Sequence, residues 1–235
     1  MPKLGGDDME SHAPPVGNFK YSAVGIDKLG ASEYTLATIV IDISGSVGGF
    51  IAEMTAALKE IVNACKYSPR ADNLMIRLVI FDDKVVEVHG FKLLTACNPA
   101  DYDNALQVGG LTALYDAAAT SITAAADFGK QLVGQEFDVN AIVFVITDGC
   151  NNCGVRGVGG VKDALKDASK KEMLESLVSI LIAVNMTDPS VATELQAFHK
   201  DAGFTQFVEL KDASAKTLAK LAEFVSKSIS SQSQA

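Results

Sequence analysis

The sequence predicts an α/β fold: a doubly wound, mostly parallel central sheet with helices on both faces and one antiparallel edge strand. Three observations carry this expectation. Short Val/Ile-rich runs, such as residues 38–41 and 142–146, read as parallel strands covered on both faces. Strand-like and helix-like segments alternate almost throughout, the pattern of right-handed crossovers. Apolar residues make up 48% of the 235, aromatic residues only 7%, and Trp is absent, so the core must be aliphatic.

Residues 34–41 form the first, central strand. Residues 48–66 read as a helix, with Phe50, Ile51, Met54, Leu58, Ile61, Val62 and Cys65 recurring at three- and four-residue steps, and Ser68-Pro69-Arg70 ends it. Residues 74–81 form a strand joined by Asp82-Asp83-Lys84 to a short strand over 85–88. So tight a connection makes that pair antiparallel, because a parallel pair needs a crossover. An alanine-rich helix follows over 112–128, a strand over 140–147, and a helix over 161–176 with charges on one side. Residues 178–184 form a strand and 190–201 a helix that begins just after Asp188-Pro189. The last strand spans 204–210, and the closing helix 214–229 has Asp212 and Ser214 as capping residues. The expected division is an N-terminal extension over 1–33, partly flexible, one domain over 34–230, and a polar tail over 231–235. Residues 1–18 are polar and acidic, with Gly5-Gly6 and Pro14-Pro15, and read as a flexible arm. Residues 17–33 pack on the sheet or serve as a partner-binding arm.

Charge and length exclude several functions. Twenty basic against 29 acidic residues give a net charge of −9. Nucleic-acid affinity comes largely from neutralising phosphates, so no DNA or RNA partner is expected. A polybasic membrane anchor is equally unexpected. The longest apolar runs are strand-length, short of the ~20 residues that span a bilayer. No basic segment followed by an apolar stretch opens the chain, so no secretory signal is read and a cytoplasmic location is expected. Four cysteines are too few for a disulfide scaffold at this size.

The chemistry concentrates in Asp42-Ile43-Ser44-Gly45-Ser46, directly after the first strand. One carboxylate and two hydroxyls at alternate positions can point three oxygens at one spot. Hard divalent cations take oxygen ligands, and magnesium commonly uses only one or two carboxylates. Read alone, the same five residues also fit an Asx/Ser turn that caps the next helix. Two further loops strengthen the metal reading. Gly109-Gly110-Leu111-Thr112 places a hydroxyl after two glycines, before the alanine-rich helix. Thr147-Asp148-Gly149 ends a second buried strand on a carboxylate. Taken singly, Thr112 reads as a helix cap and Asp148-Gly149 as a turn. In doubly wound sheets ligands bind beyond the carboxyl ends of the strands, where all three loops fall.

This set, in this order, resembles the von Willebrand factor A (VWA) family and its metal-ion-dependent adhesion site (MIDAS): D-x-S-x-S, then a Thr, then an Asp, on three loops. The resemblance covers about residues 34–230. It implies Asp42, Ser44, Ser46, Thr112 and Asp148 as the metal set, Mg2+ (or Mn2+ or Ca2+) as the ion, and no catalytic residue. It further implies a protein–protein interaction module, not an enzyme, whose partner supplies an Asp or Glu to the metal. Without a signal peptide or structural disulfides, the chain is most similar to stand-alone cytoplasmic VWA proteins of bacteria and phages. Some of those are adaptors for AAA+ ATPases or other multi-protein assemblies. Two other functions remain open on the sequence: a structural subunit of a larger assembly, such as a phage particle, and a metal-assisted phosphohydrolase. The phosphohydrolase has no candidate base or second-metal ligand to support it.

Three other features receive secondary readings. Asp116 reads as a helix residue or a supporting acceptor, not a ligand. Cys150-Asn151-Asn152-Cys153 reads as a loop with two small thiols, or as a redox dithiol whose oxidation strains the metal loop; no second C-x-x-C supports zinc. The glycine-rich residues 154–160 lack Gly-Lys-Ser/Thr, so no phosphate loop is expected.

Overall fold

A computed structural model describes residues 8–15, 18–170 and 172–234. In chain order the elements are β1 (Met9–His12), β2 (Tyr21–Val24), β3 (Glu33–Asp42), α1 (Ile51–Cys65), β4 (Leu74–Phe81), β5 (Val85–Leu93), α2 (Leu114–Val133), β6 (Asp138–Thr147), α3 (Val158–Ala168), β7 (Ser176–Ala183), α4 (Pro189–Ala202), β8 (Gln206–Glu209) and α5 (Ala215–Gln232). One eight-stranded sheet runs β1-β2-β5-β4-β3-β6-β7-β8. The pairs β3–β4, β3–β6, β6–β7 and β7–β8 are parallel, and β4–β5 is antiparallel as the tight turn required. The α/β doubly wound expectation describes this molecule.

Alternation along β3 shows why both faces need helices. Leu36 and Val40 lie in one apolar cluster with α2, α3 and α4, while Ala37, Ile39 and Ile41 lie in the other with α1 and α5. Successive strand side chains point to opposite faces, so a strand with apolar residues on both faces must be covered twice. Six of the residues that α2 buries in its cluster are alanines, Ala117–Ala119 and Ala124–Ala126. Such small side chains bring the helix close to the sheet.

Differences from the sequence reading lie mainly at the ends of elements. The segment read as a flexible arm contains β1, which pairs antiparallel with β2, while β2 joins β5 through Ala23↔Phe91. Tyr21 and Ala23 are buried on the sheet, so the extension adds two strands outside β5. Four-residue strands with polar members are too short to show a period. Of that arm, residues 1–7, 16 and 17 lie outside the described residues. Strand β5 runs five residues past its expected end, through Gly90. A Cβ there would lie 1.7 Å from the Ser22 carbonyl oxygen, so the glycine lets β2 pass. Helix α3 ends at Ala168, well before residue 176, and Leu174 instead packs on Gly129 of α2. Helix α5 reaches Gln232, whose amide hydrogen-bonds Ser176 Oγ, taking in the start of the expected polar tail.

Candidate metal centre

The chain turns one way from β3 to β4 and the other way after β6, so the switch point lies between the carboxyl ends of β3 and β6. Asp42 ends β3 and Asp148 follows β6 directly. The loop before α2 closes over them: Gly109 N–H donates to Ile43 O at 2.9 Å, Gly45 N–H to Gly110 O at 3.4 Å, and Ala113 N–H to Asp82 O at 2.7 Å. Gly110 takes φ +71°, and a Cβ there would meet Asp83 Oδ1 at 2.5 Å, so this crossing requires glycine.

Four of the five sequence-identified residues are joined directly. Ser44 N–H donates to Asp42 Oδ1 at 2.8 Å, the Ser44 and Ser46 hydroxyl oxygens are 3.2 Å apart, and Ser46 Oγ donates to Asp148 Oδ1 at 2.7 Å. Thr112 is brought to the same edge by its loop, but its hydroxyl shares no hydrogen bond with the other four. Asp42, Ser44 and Thr112 are buried, Asp148 is half-buried and Ser46 is exposed, so the group opens to solvent at Ser46.

The electrostatics are unbalanced. Asp42 is 2% exposed, and burial pushes its carboxyl up to about 6, against hydrogen bonds from Thr147 and Ser44 that favour the charge. Asp148 is also raised, chiefly by burial. Among the described residues neither carboxylate forms an ion pair. A buried carboxylate without a cation is costly unless something positive compensates it. A divalent cation fits that deficit, and the chemistry of the donor set agrees. Magnesium at 2.0–2.1 Å places neighbouring octahedral ligands about 3 Å apart, near the separation of the two serine hydroxyls. Three histidine, cysteine or acidic side chains do not cluster anywhere among the described residues, so such a cation would depend on hydroxyl oxygens.

Several contributors escaped sequence reasoning. Thr147 reads there as the last core residue of a strand, yet its hydroxyl donates to Asp42 Oδ2 at 2.6 Å and accepts from Gly149 N–H at 3.1 Å. Asn152 bonds the backbone of Thr112, whereas Asn151 bonds Tyr115 in the first turn of α2, although the C-x-x-C frame draws attention to the thiols. Those thiols are free. Burial and the neighbouring Glu194 push Cys150 up to about 12, and Cys153 is also raised, unlike a redox-active thiol. Asp116 is a supporting acceptor, taking Val155 N–H at 2.8 Å and Arg156 N–H at 3.1 Å.

The fold is a doubly wound α/β domain, and its gathered oxygen donors lie at the switch point, where such folds take their ligands. The model of the von Willebrand factor type A domain matches residues 38–224, and the chain belongs to that family. A comparison with curated proteins gives no match. Among solved structures, the PilB minor pilin from Streptococcus sanguinis is similar at 14% identity and a TM-score of 0.60, over 94% of this chain and 67% of the pilin. Proximal thread matrix protein 1 from the mussel byssus, described with a zinc-occupied MIDAS motif, is similar at 19% identity and a TM-score of 0.53, over 85% of this chain and 46% of that one. A von Willebrand factor type A protein from Catenulispora acidiphila is similar at 15% identity and a TM-score of 0.55, over 89% of this chain and 44% of that one. At these identities the likeness is one of fold. The chain spans about two thirds of the pilin and under half of the other two.

Proposed function

We propose that this chain is a metal-dependent protein-interaction module, in which Asp42, Ser44, Ser46, Thr112 and Asp148 hold one divalent cation. The observation that carries this reading is the uncompensated carboxylate pair: Asp42 accepts the Ser44 N–H, the Ser44 hydroxyl meets that of Ser46, and the Ser46 hydroxyl donates to Asp148. Oxygen-only donors suit magnesium or manganese, with calcium as the larger alternative, better than zinc, which favours nitrogen and sulfur. When bound, the cation supplies concentrated positive charge at the rim of a protein of net charge −9, where a partner's Asp or Glu would otherwise be repelled.

The protein's own part is to hold the oxygens and to present a surface around them. Val86, Val108, Leu111 and Val155, four of the five exposed large hydrophobics among the described residues, lie on segments at this edge. Apolar groups clustered around a site mark a protein contact. The reading is one of binding and not catalysis: His89 is buried with both ring nitrogens engaged, and among the described residues no histidine hydrogen-bonds the group. Four free thiols favour a reducing compartment, hence an adaptor inside the cell, serving an AAA+ ATPase or another multi-protein assembly. Among the described residues no helix is long and apolar enough to cross a membrane.

Capture on immobilised protein tests this. A protein retained from lysate with magnesium, released by EDTA, and not retained by Ser46→Ala or Asp42→Ala supports the reading. Retention that is indifferent to chelation refutes it.

A further inference from the structure

The loop after β6 carries two asparagines that the metal reading does not use, and their contacts are specific. Asn152 Oδ1 accepts the Thr112 N–H at 2.7 Å, and Asn152 N–H donates to the Thr112 carbonyl at 3.0 Å. One residue forty positions away therefore holds both backbone polar groups of Thr112. We propose that Asn152 is the positioning residue for Thr112 in the metal centre, an inference that rests on the metal reading above.

The surroundings explain why Thr112 needs such a grip. It lies between Gly110, which has a left-handed backbone, and α2, whose own cap residue is Ala113 and offers no side-chain acceptor. Its hydroxyl makes no hydrogen bond to Asp42, Ser44, Ser46 or Asp148 that would fix it from that side. The neighbouring contacts serve another purpose. Asn151 Oδ1 accepts Tyr115 N–H at 3.0 Å and so supplies the missing helix cap, while its Nδ2 donates to Cys153 O at 2.9 Å. Asp116 ties the same loop to α2 through Val155 and Arg156. Asn151 and Asp116 thus fasten loop to helix, and Asn152 holds the Thr112 amide and carbonyl.

Asn152 is itself exposed. Its side chain contributes little to packing, so its removal should affect placement more than folding. Groups that orient metal ligands from outside the coordination sphere typically carry ten- to a hundredfold in affinity.

A double-mutant cycle read by magnesium and manganese calorimetry tests the assignment, with thermal melts in chelator alongside. Asn152→Ala should weaken metal binding about ten- to a hundredfold, with little change in the metal-free melting temperature. In a Thr112→Ala background the same change should weaken binding by less than about threefold, because the ligand it orients is gone. Asn151→Ala is the control on the same loop: it should lower the melting temperature and leave affinity within a few-fold. Wild-type-like affinity in Asn152→Ala, full additivity with Thr112→Ala, or an equal affinity loss in Asn151→Ala each overturns the assignment while the metal reading stands. No binding by the wild-type protein overturns both.

Discussion

Asp42→Asn should stabilise the metal-free protein while destroying its metal site. In the folded chain the Asp42 carboxyl sits at about 6, against an ordinary value of 3.8. Between those values the folded state binds more protons than the unfolded one, so metal-free stability falls as pH rises from about 4 to 6 and levels off above that. The gap, at about 1.4 kcal/mol per tenfold, makes the ionised side chain cost about 3 kcal/mol at pH 7.5 and about 1 kcal/mol at pH 4.5. Asparagine removes the charge and keeps both contacts: its Oδ1 accepts Ser44 N–H, and its Nδ2 donates to Thr147 Oγ1, whose proton turns to Gly149 O, 2.9 Å away. For a chain of this size the gain is about 6–12 °C in melting temperature at pH 7.5. The assay is thermal and urea unfolding of wild type and Asp42→Asn in EDTA at both pH values, repeated with saturating magnesium. Magnesium should then reverse the order by stabilising wild type alone. A variant less stable than wild type at pH 7.5 in EDTA, or a difference that does not change with pH, would refute the reasoning.

Other perturbations probe the packing, the loop crossing and the thiols. Arg77 and Glu87 form a buried pair at 2.7 Å, with Arg77 3% exposed, and Glu87 also accepts from the Ser22 amide and hydroxyl of β2. Glu87→Ala should cost about 3–5 kcal/mol in urea unfolding, because it strands a buried guanidinium. A loss below 1 kcal/mol would argue against that burial. Gly110→Ala forces a side chain into a left-handed backbone against Asp82 and Asp83, and should cost about 1–3 kcal/mol together with metal affinity. Calorimetry and melting of one sample read both, and wild-type values for both would count against the loop crossing. At pH 7.5 iodoacetamide should modify Cys150 on the order of a thousandfold more slowly than a free thiol, as mass spectrometry would show. Prompt labelling would restore the redox reading of the Cys150–Cys153 pair.

Much of this architecture is legible in the sequence because its strands are buried on both faces. A run such as Leu74–Phe81 has one reading, and β4 keeps those bounds in the structure. What the sequence hides depends on tertiary contact. Strands β1 and β2 exist because Gly90 admits the Ser22 backbone, and a lone glycine in a strand does not say what it admits. Helix α3 stops early because Leu174 packs against Gly129, a contact with no local signal. The candidate oxygens are legible in kind and order, since D-x-S-x-S is local. Their hydrogen-bonded support is not: Thr147 and Asn152 act across 105 and 40 positions. Asn in a loop is too common to single out without a partner in view.

The most direct test of the central claim is calorimetric titration of metal-stripped protein with magnesium and then manganese, run beside Asp42→Ala. Saturable binding at one site per chain, lost in the variant, is the expected outcome. Heats of binding that persist unchanged in Asp42→Ala, or no binding by wild type, would contradict it.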